Sequence, residues 1–417
     1  MSTGSRPQGY GSIPQDEVIE NGTSDHESHG LAKSRVPNSA SLQDVHRSVQ
    51  VPSRHEPWWR KALAYAGPGA LVAVGYMDPG NWATDIAGGS SYNYDLLFVV
   101  LWSSLLGLFY QLLAVKLAIA SEMDLAQACR KHYPPALLTV LWAVAEVAII
   151  ATDLAEVLGS AIALQLLFGW RLEVGVLVTV ADVAIVFLAQ GSRIRVIEVF
   201  VLLLILVIVA SFSLQLWLSQ PALGPLLRGM LVPTLDTVTQ PAKLFLAISI
   251  LGATIMPHSL FLHSSMVLTR ANSTCAAGKR EALQYAAADC SLSLLCALFV
   301  NGAILVVAAA TFYSNDYRDV ADLYVAYKLL DPLLGDYSSA AFGVALLAAG
   351  LNSTLTGTMA GQIVMEGFLE WRIDPVYRRI ATRALAIVPA MVVIVVGGEQ
   401  ASNSLLLFSQ VVLSFAL

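Results

Sequence analysis

Ten stretches of this chain are long apolar runs, at roughly 62–88, 95–120, 136–167, 173–190, 197–218, 242–268, 284–312, 338–366, 384–397 and 403–417. A helix rises about 1.5 Å per residue, so about 20 such residues cross a hydrocarbon core about 30 Å thick. A chain with this many spans must satisfy its backbone polar groups inside the bilayer, and helices do so within each span. The fold class expected is an all-α polytopic membrane protein. Composition agrees: 56% of residues are hydrophobic and 13% charged, against roughly 25% charged in soluble domains. Nothing points to a nucleic-acid partner.

Residues 1–57 differ from the rest. They are rich in Ser, Pro, Gly, Asn, His and charge, have almost no aromatics, and lack the apolar core of a signal peptide. They read as a disordered tail, followed by a transmembrane domain over 58–417. Tyr10-Gly-Ser-Ile13 fits a Tyr-x-x-hydrophobic sorting signal, with sorting adaptors as the partner this implies. With the N-terminus inside, fourteen Lys and Arg residues fall in inner segments and four in outer loops. The positive-inside rule therefore puts the tail in the cytoplasm, and none of the sequons at Asn21, Asn272 and Asn352 should be glycosylated. The four cysteines, Cys129, Cys275, Cys290 and Cys296, form no CxxC or zinc-type spacing.

Two of the apolar segments interrupt themselves. The first reads GYMDPGNWATD (75–85) and the sixth LGATIMPHSLFLHSS (251–265). Their prolines, Pro79 and Pro257, lie 178 residues apart, about the length of five spans with loops. Five is odd, so two such repeats enter the membrane in opposite directions: one over about 58–220, the other over about 240–417. Paired discontinuous helices at the centre of an inverted repeat are the site of secondary transporters. Proline lacks an N–H, so Pro79 frees the carbonyl of Gly75 and Pro257 that of Ala253. Such carbonyls are tolerated in lipid only where they line a cavity or bind something. Gly80 follows the first break. Asp78, Asn81, the Gly75 and Ala253 carbonyls and the Met256 thioether make a mixed ligand set. Oxygen alone suits Mg2+ and Ca2+; sulfur favours softer transition metals.

Other ionisable residues sit within spans. Glu146, Asp153 and Glu156 share one face of the third span, because they are seven and three apart. They read either as a proton route or as acids paired with arginines, Arg383 being one candidate. His258 and His263 lie in the second half of the sixth span and suit either proton handling or hydrogen bonding between helices. Asp182, Glu198 and Asp289 are expected to be structural. The eighth span, GLNSTLTGTMAGQIVMEGF, reads as a closely packed scaffold.

With MDPGN, ATDLAE, GATIMPH, LHS, LNSTLTGTMAGQIVMEGF and SQVVLSF in these places, the chain from about residue 58 onward resembles the natural resistance-associated macrophage protein (Nramp) family of proton-coupled divalent metal transporters. The resemblance implies a LeuT-like 5+5 inverted repeat with discontinuous helices 1 and 6. It implies metal coordination by Asp78, Asn81, Met256 and the Ala253 carbonyl, with the Gly75 carbonyl in some states and Gln410 in another. It implies that Asp78 and Asp153 handle protons, assisted by Glu146, Glu156, His258 and His263. Met256 favours Mn2+ or Fe2+ over Mg2+. The transported ions are substrates, so neither a resident cofactor nor a catalytic residue is expected. Two departures stand out. Ser259 occupies a position where many relatives have Asn, and the chain ends within helix 10, which leaves the second repeat incomplete. A sodium-coupled amino-acid transporter of the same fold and a transport-dead regulatory relative are the competing readings. The membrane expected is the plasma membrane or an endosomal or vacuolar one.

Overall fold

The computed structural model describes residues 41, 42, 45–53, 55–181, 194–271, 275–318, 320, 322–335 and 337–417. The expectations for most of the tail, for Tyr10–Ile13, for the sequons at Asn21 and Asn272 and for Asp182 lie outside these residues.

Among the described residues the elements are helical. In chain order they are α1 (Trp58–Tyr65), α2 (Pro68–Gly75), α3 (Pro79–Tyr92), α4 (Leu97–Ser121), α5 (Leu125–His132), α6 (Pro135–Phe168), α7 (Leu172–Val178) and α8 (Ile194–Ser219). Then follow α9 (Leu223–Leu231), α10 (Asp236–Thr239), α11 (Pro241–Thr254), α12 (Pro257–Val267), α13 (Ala276–Thr311), α14 (Leu323–Leu334), α15 (Ser338–Leu369) and α16 (Pro375–Phe415). α16 contains non-helical backbone at Gly398 (φ 73°, ψ −170°), so it is two helical arms joined at a kink. Among the described residues, seven helical segments are long and apolar enough to cross a membrane, counting α11 and α12 together and the first arm of α16. Large apolar side chains on their outer faces, such as Val199, Leu203 and Leu206 of α8, are exposed, as lipid contact requires.

Proline sets both breaks. A residue before proline is pushed out of the helical region. Asp78 (φ −73°, ψ 167°) and Met256 (φ −96°, ψ 121°) are both extended, and each is followed by proline at the first helical position. Asp78 also caps α3, its Oδ1 accepting the Asn81 N–H at 3.0 Å.

The two broken helices run in opposite directions. α2 starts and α12 finishes at the same end of the bundle. There Arg270, just beyond α12, reaches the Ala64 and Ala66 carbonyls before α2. α11 starts at the other end, where Lys243 pairs with Asp95 just beyond α3 at 2.7 Å. This antiparallel pair is what an inverted repeat produces.

Residues 45–51, within the stretch read as a tail, pack on the body. Val49 N–H donates to the Thr269 carbonyl (3.0 Å), Arg47 N–H to Leu268 (3.1 Å), and Ala271 N–H to Val49 (2.9 Å). Val49 is buried and Val51 packs beside Tyr65 and Val267. The physical reason is local. The last carbonyls of a helix have no partner within it, and this short segment pairs with those at the end of α12. A polar composition carries no sign of such backbone pairing.

Candidate functional site

The two breaks face each other at the centre. A Cβ built on Gly75 would lie 3.9 Å from Met256 Sδ and 3.8 Å from Ser259 Cβ. Two further helices close on them. A Cβ on Gly80 would collide with the Gln410 amide of α16, and one on Gly159 of α6 would collide with the Pro79 ring. The structure thus brings Gly75, Asp78, Gly80, Met256 and Gln410 together. Asp78, Asn81, Ala253, Met256 and Gln410 are each no more than 1% exposed.

Three oxygens in this enclosure have no hydrogen-bond partner: Asp78 Oδ2, Asn81 Oδ1 and Gln410 Oε1. Burying unpaired acceptors is costly. Here the orphaned atoms are all oxygens and one belongs to a carboxyl group, a set that a cation could bind. Neighbouring carbonyls are tied off instead. Tyr76 O accepts from Asn301 Nδ2 (2.7 Å) and Met77 O from Trp82 Nε1 (3.1 Å). Met256 O accepts from both Ser259 N–H and Ser259 Oγ. Among the described residues no cluster of three or more His, Cys, Asp and Glu gathers as a metal site. The candidate donors here are one carboxyl group and otherwise neutral atoms.

A polar thread leads away from Met256. Gln111 of α4 donates through Nε2 to Ser259 Oγ (2.9 Å) and to the Tyr76 hydroxyl (3.4 Å), while its Oε1 meets His263 Nδ1 at 2.9 Å. With the amide oriented so, the His263 proton belongs on Nδ1, which leaves Nε2 as an orphaned acceptor. His258 is buried and its Nδ1 has no partner.

The acids of α6 are paired with arginines of α16. Asp153 Oδ1 accepts from Arg379 (2.7 Å) and Arg383 (2.9 Å), Glu156 Oε2 from Arg379 (3.1 Å), and both Glu146 oxygens from Arg378 Nη2 (2.9 Å). The pairing follows from helix periodicity. Asp153 and Glu156 are three apart and Arg379 and Arg383 four apart, so each pair shares a face. Arg378 fits because α15 offers Gly361 there: a Cβ would overlap its guanidinium. Sequence reasoning had only Arg383 as a partner. Arg378 and Arg379 counted as inner-loop charges, and the missing information was where α16 begins.

At the end of the bundle that holds residues 45–51, buried charges form a clamp. Arg270 binds Glu198 of α8 with two bonds (2.6 and 3.1 Å), and Arg195 joins at 3.1 Å. Asp289 of α13 accepts from the N–H groups of Gly67 (3.2 Å) and Gly69 (2.7 Å). Glu198 and Asp289 therefore hold the start of α2. Three residues near the site were not singled out from sequence: Gln111, Asn301 and Asp85. A polar side chain inside an apolar run was the available signal for each.

An all-helical membrane protein built around two facing, oppositely directed broken helices has the architecture of a secondary transporter. The model of the natural resistance-associated macrophage protein-like family, Nramp, matches residues 69–417. The divalent metal cation transporter MntH of Mesorhizobium japonicum is 50% identical over 378 residues, covering 90% of this chain and 83% of that protein. The manganese transporter of Eremococcus coleocola, in complex with an aromatic bis-isothiourea substituted compound, aligns with a TM-score of 0.82 at 40% identity, over 90% of this chain and 81% of that one. Mhp1, a nucleobase-cation-symport-1 family transporter in a closed conformation, aligns with a TM-score of 0.58 at 15% identity, over 82% and 74% of the two chains; that likeness speaks for the fold alone. The chain belongs to the Nramp family.

Proposed function

We propose that this protein is a secondary transporter that carries a divalent transition-metal ion, Mn2+ or Fe2+, into the cytosol together with protons. One observation carries the reading: Asp78 is fully buried at a helix break, with an unpartnered oxygen, facing the break that holds Met256. A bare carboxylate there costs about 2.5–3.5 kcal/mol even on the mild insertion scale, and a bound cation or a proton offsets that. Asn81, Gln410, Met256 and the Gly75 and Ala253 carbonyls complete the shell. The oxygens hold the ion and the thioether selects against hard competitors.

Metal release towards the tail requires the clamp of Arg270, Glu198 and Asp289 to open. Protons would pass from Asp78 towards Asp153, with Glu146, Glu156, His258 and His263 assisting. A second reading of the α6 acids has its own support: their ion pairs with Arg378, Arg379 and Arg383 also serve simply to fasten α6 to α16. The distribution of Lys and Arg supports a cytoplasmic N-terminus. An amino-acid substrate is disfavoured because its carboxylate would meet Asp78.

The test is Mn2+ uptake by liposomes holding the full chain, with and without an inward pH gradient. The expected result is uptake that the gradient accelerates. Absence of uptake under both conditions would favour the transport-dead alternative. Uptake indifferent to the gradient would remove the proton from the mechanism.

A further inference from the structure

Above the metal site, on the side away from the clamp, Trp82 of α3 stands edge-on to two rings. Its centroid is 4.7 Å from that of Phe212 on α8 and 5.2 Å from that of Phe342 on α15. This contact fixes the relative height of the three helices. α3 and α8 run in the same direction, since Glu198 near the start of α8 lies beside Gly67. α15 runs oppositely, since Asn352 reaches the Val201 carbonyl, lower on α8 than Phe212. One turn beyond the aromatic contact is therefore three residues later on α3 and α8, and four earlier on α15. Those positions are Asp85, Gln215 and Ser338.

All three are polar, and none is more than 1% exposed. Asp85 Oδ2, both polar atoms of Gln215 and Ser338 Oγ have no hydrogen-bond partner. An orphaned carboxylate, amide and hydroxyl at one level of a membrane bundle is an expensive arrangement. Among the described residues no fixed cation pairs with Asp85. The buried basic side chains serve other acids: Arg378, Arg379 and Arg383 the acids of α6, Arg270 Glu198, Lys61 Glu281 and Lys243 Asp95. Whatever balances Asp85 is mobile.

We infer that Asp85, Gln215 and Ser338 form a second divalent-cation station, which the transported ion occupies on its way to or from Asp78. The inference rests on the reading of Asp78 as the metal site. Asp85 is seven residues after Asp78, about 10 Å further along nearly the same helix face. The station offers three oxygen ligands and no sulfur. Three ligands leave a divalent ion partly hydrated, and the Gln215 amide and Ser338 hydroxyl can hydrogen-bond to the retained water. Such a site does not distinguish Mn2+ from Ca2+ or Mg2+, so the station admits ions and the break with Met256 sorts them.

The test is equilibrium Mn2+ binding to the purified full chain, comparing wild type, Asp78→Ala and Asp78→Ala with Asp85→Asn. Wild type binds tightly. Asp78→Ala retains weak binding, which Ca2+ competes for as well as Cd2+ does. Adding Asp85→Asn lowers that residual affinity by at least about tenfold, the lower end of what lost support costs a metal site. Equal Mn2+ binding by the single and double variants overturns the station while leaving Asp78 in place. No Mn2+ binding by wild type overturns the reading of Asp78 and the station with it. Asp85→Asn is nearly isosteric. Gln215→Leu in the Asp78→Ala background gives an independent check: a several-fold weakening is expected, and unchanged binding counts against the station.

Discussion

Asp78 and Met256 hold matching positions before proline in the two breaks. In the proposed shell Asp78 would supply charge and Met256 softness. Met256→Ala therefore acts on selectivity more than on turnover. Ca2+ and Mg2+ should compete better with Mn2+, and Cd2+ should lose more affinity than Mn2+, by about tenfold or more. Competition curves measured in liposome uptake decide this, and curves that coincide with wild type would remove sulfur from the shell. At this scale much was legible in the sequence. Pro79 and Pro257 each open a new helix inside an apolar run, whereas Pro389 lies within the first arm of α16 without ending it, and an acid beside such a break has few explanations. The residues that steady the site were harder to see. Gln111 and Asn301 lie one per span with no neighbouring signal, and only the packing of α4 and α13 against the breaks shows what they hold.

At the scale of elements, the α6–α16 contact separates relay from fastening. Asp153→Asn keeps size and an acceptor but removes the charge shared by Arg379 and Arg383. If Asp153 relays protons, metal uptake survives in part while proton influx per metal drops and pH dependence flattens. A pH-sensitive dye trapped in liposomes, read beside metal flux, measures this. Breaking a buried pair costs about 3–5 kcal/mol, so a fall in thermal stability is expected as well. A stability loss with the wild-type proton ratio would leave only the fastening role. α5 offers a pH signature outside the spans. Asp124 caps α5, accepting Gln127 N–H at 2.9 Å, and burial pushes its carboxyl up to about 6. The folded state thus holds this proton more tightly than the unfolded one. The stability it contributes is present below about pH 4, the unfolded value, and is lost as pH rises through about 6. Asp124→Asn, which still caps, should flatten the decline of Tm between pH 4 and 7; an unchanged slope refutes it. The segment at 45–51 was invisible to composition because its pairing is through backbone. Val49→Pro deletes the N–H that meets Thr269. Hydrogen exchange at Ala271, whose amide meets Val49, should then quicken by about fivefold, the worth of about 1 kcal/mol. Unchanged protection there would mean that the segment is not held.

For the whole molecule, the order of spans and the 178-residue offset of the prolines predicted an inverted repeat, and the opposite directions of α2–α3 and α11–α12 agree with it. An odd number of spans per repeat leaves no other way to place two equivalent breaks at one depth. What sequence could not supply was how the charges around the start of α2 assemble. Arg195 and Arg270 read as inner-loop charge and Glu198 and Asp289 as structural acids, and their assembly into a clamp depends on helices from both repeats meeting. On the proposed reading one ion sits between the two broken helices, with the clamp of Arg270, Glu198 and Asp289 beyond it. Anomalous X-ray diffraction from crystals of the full chain grown with Mn2+ tests that placement directly. A manganese peak is expected within about 2.0–2.6 Å of Asp78 Oδ2, the range for hard-cation oxygen ligands, next to Met256 Sδ and absent in Asp78→Ala crystals. A manganese peak that leaves Asp78 uncontacted, or one that persists there without the carboxylate, would contradict it.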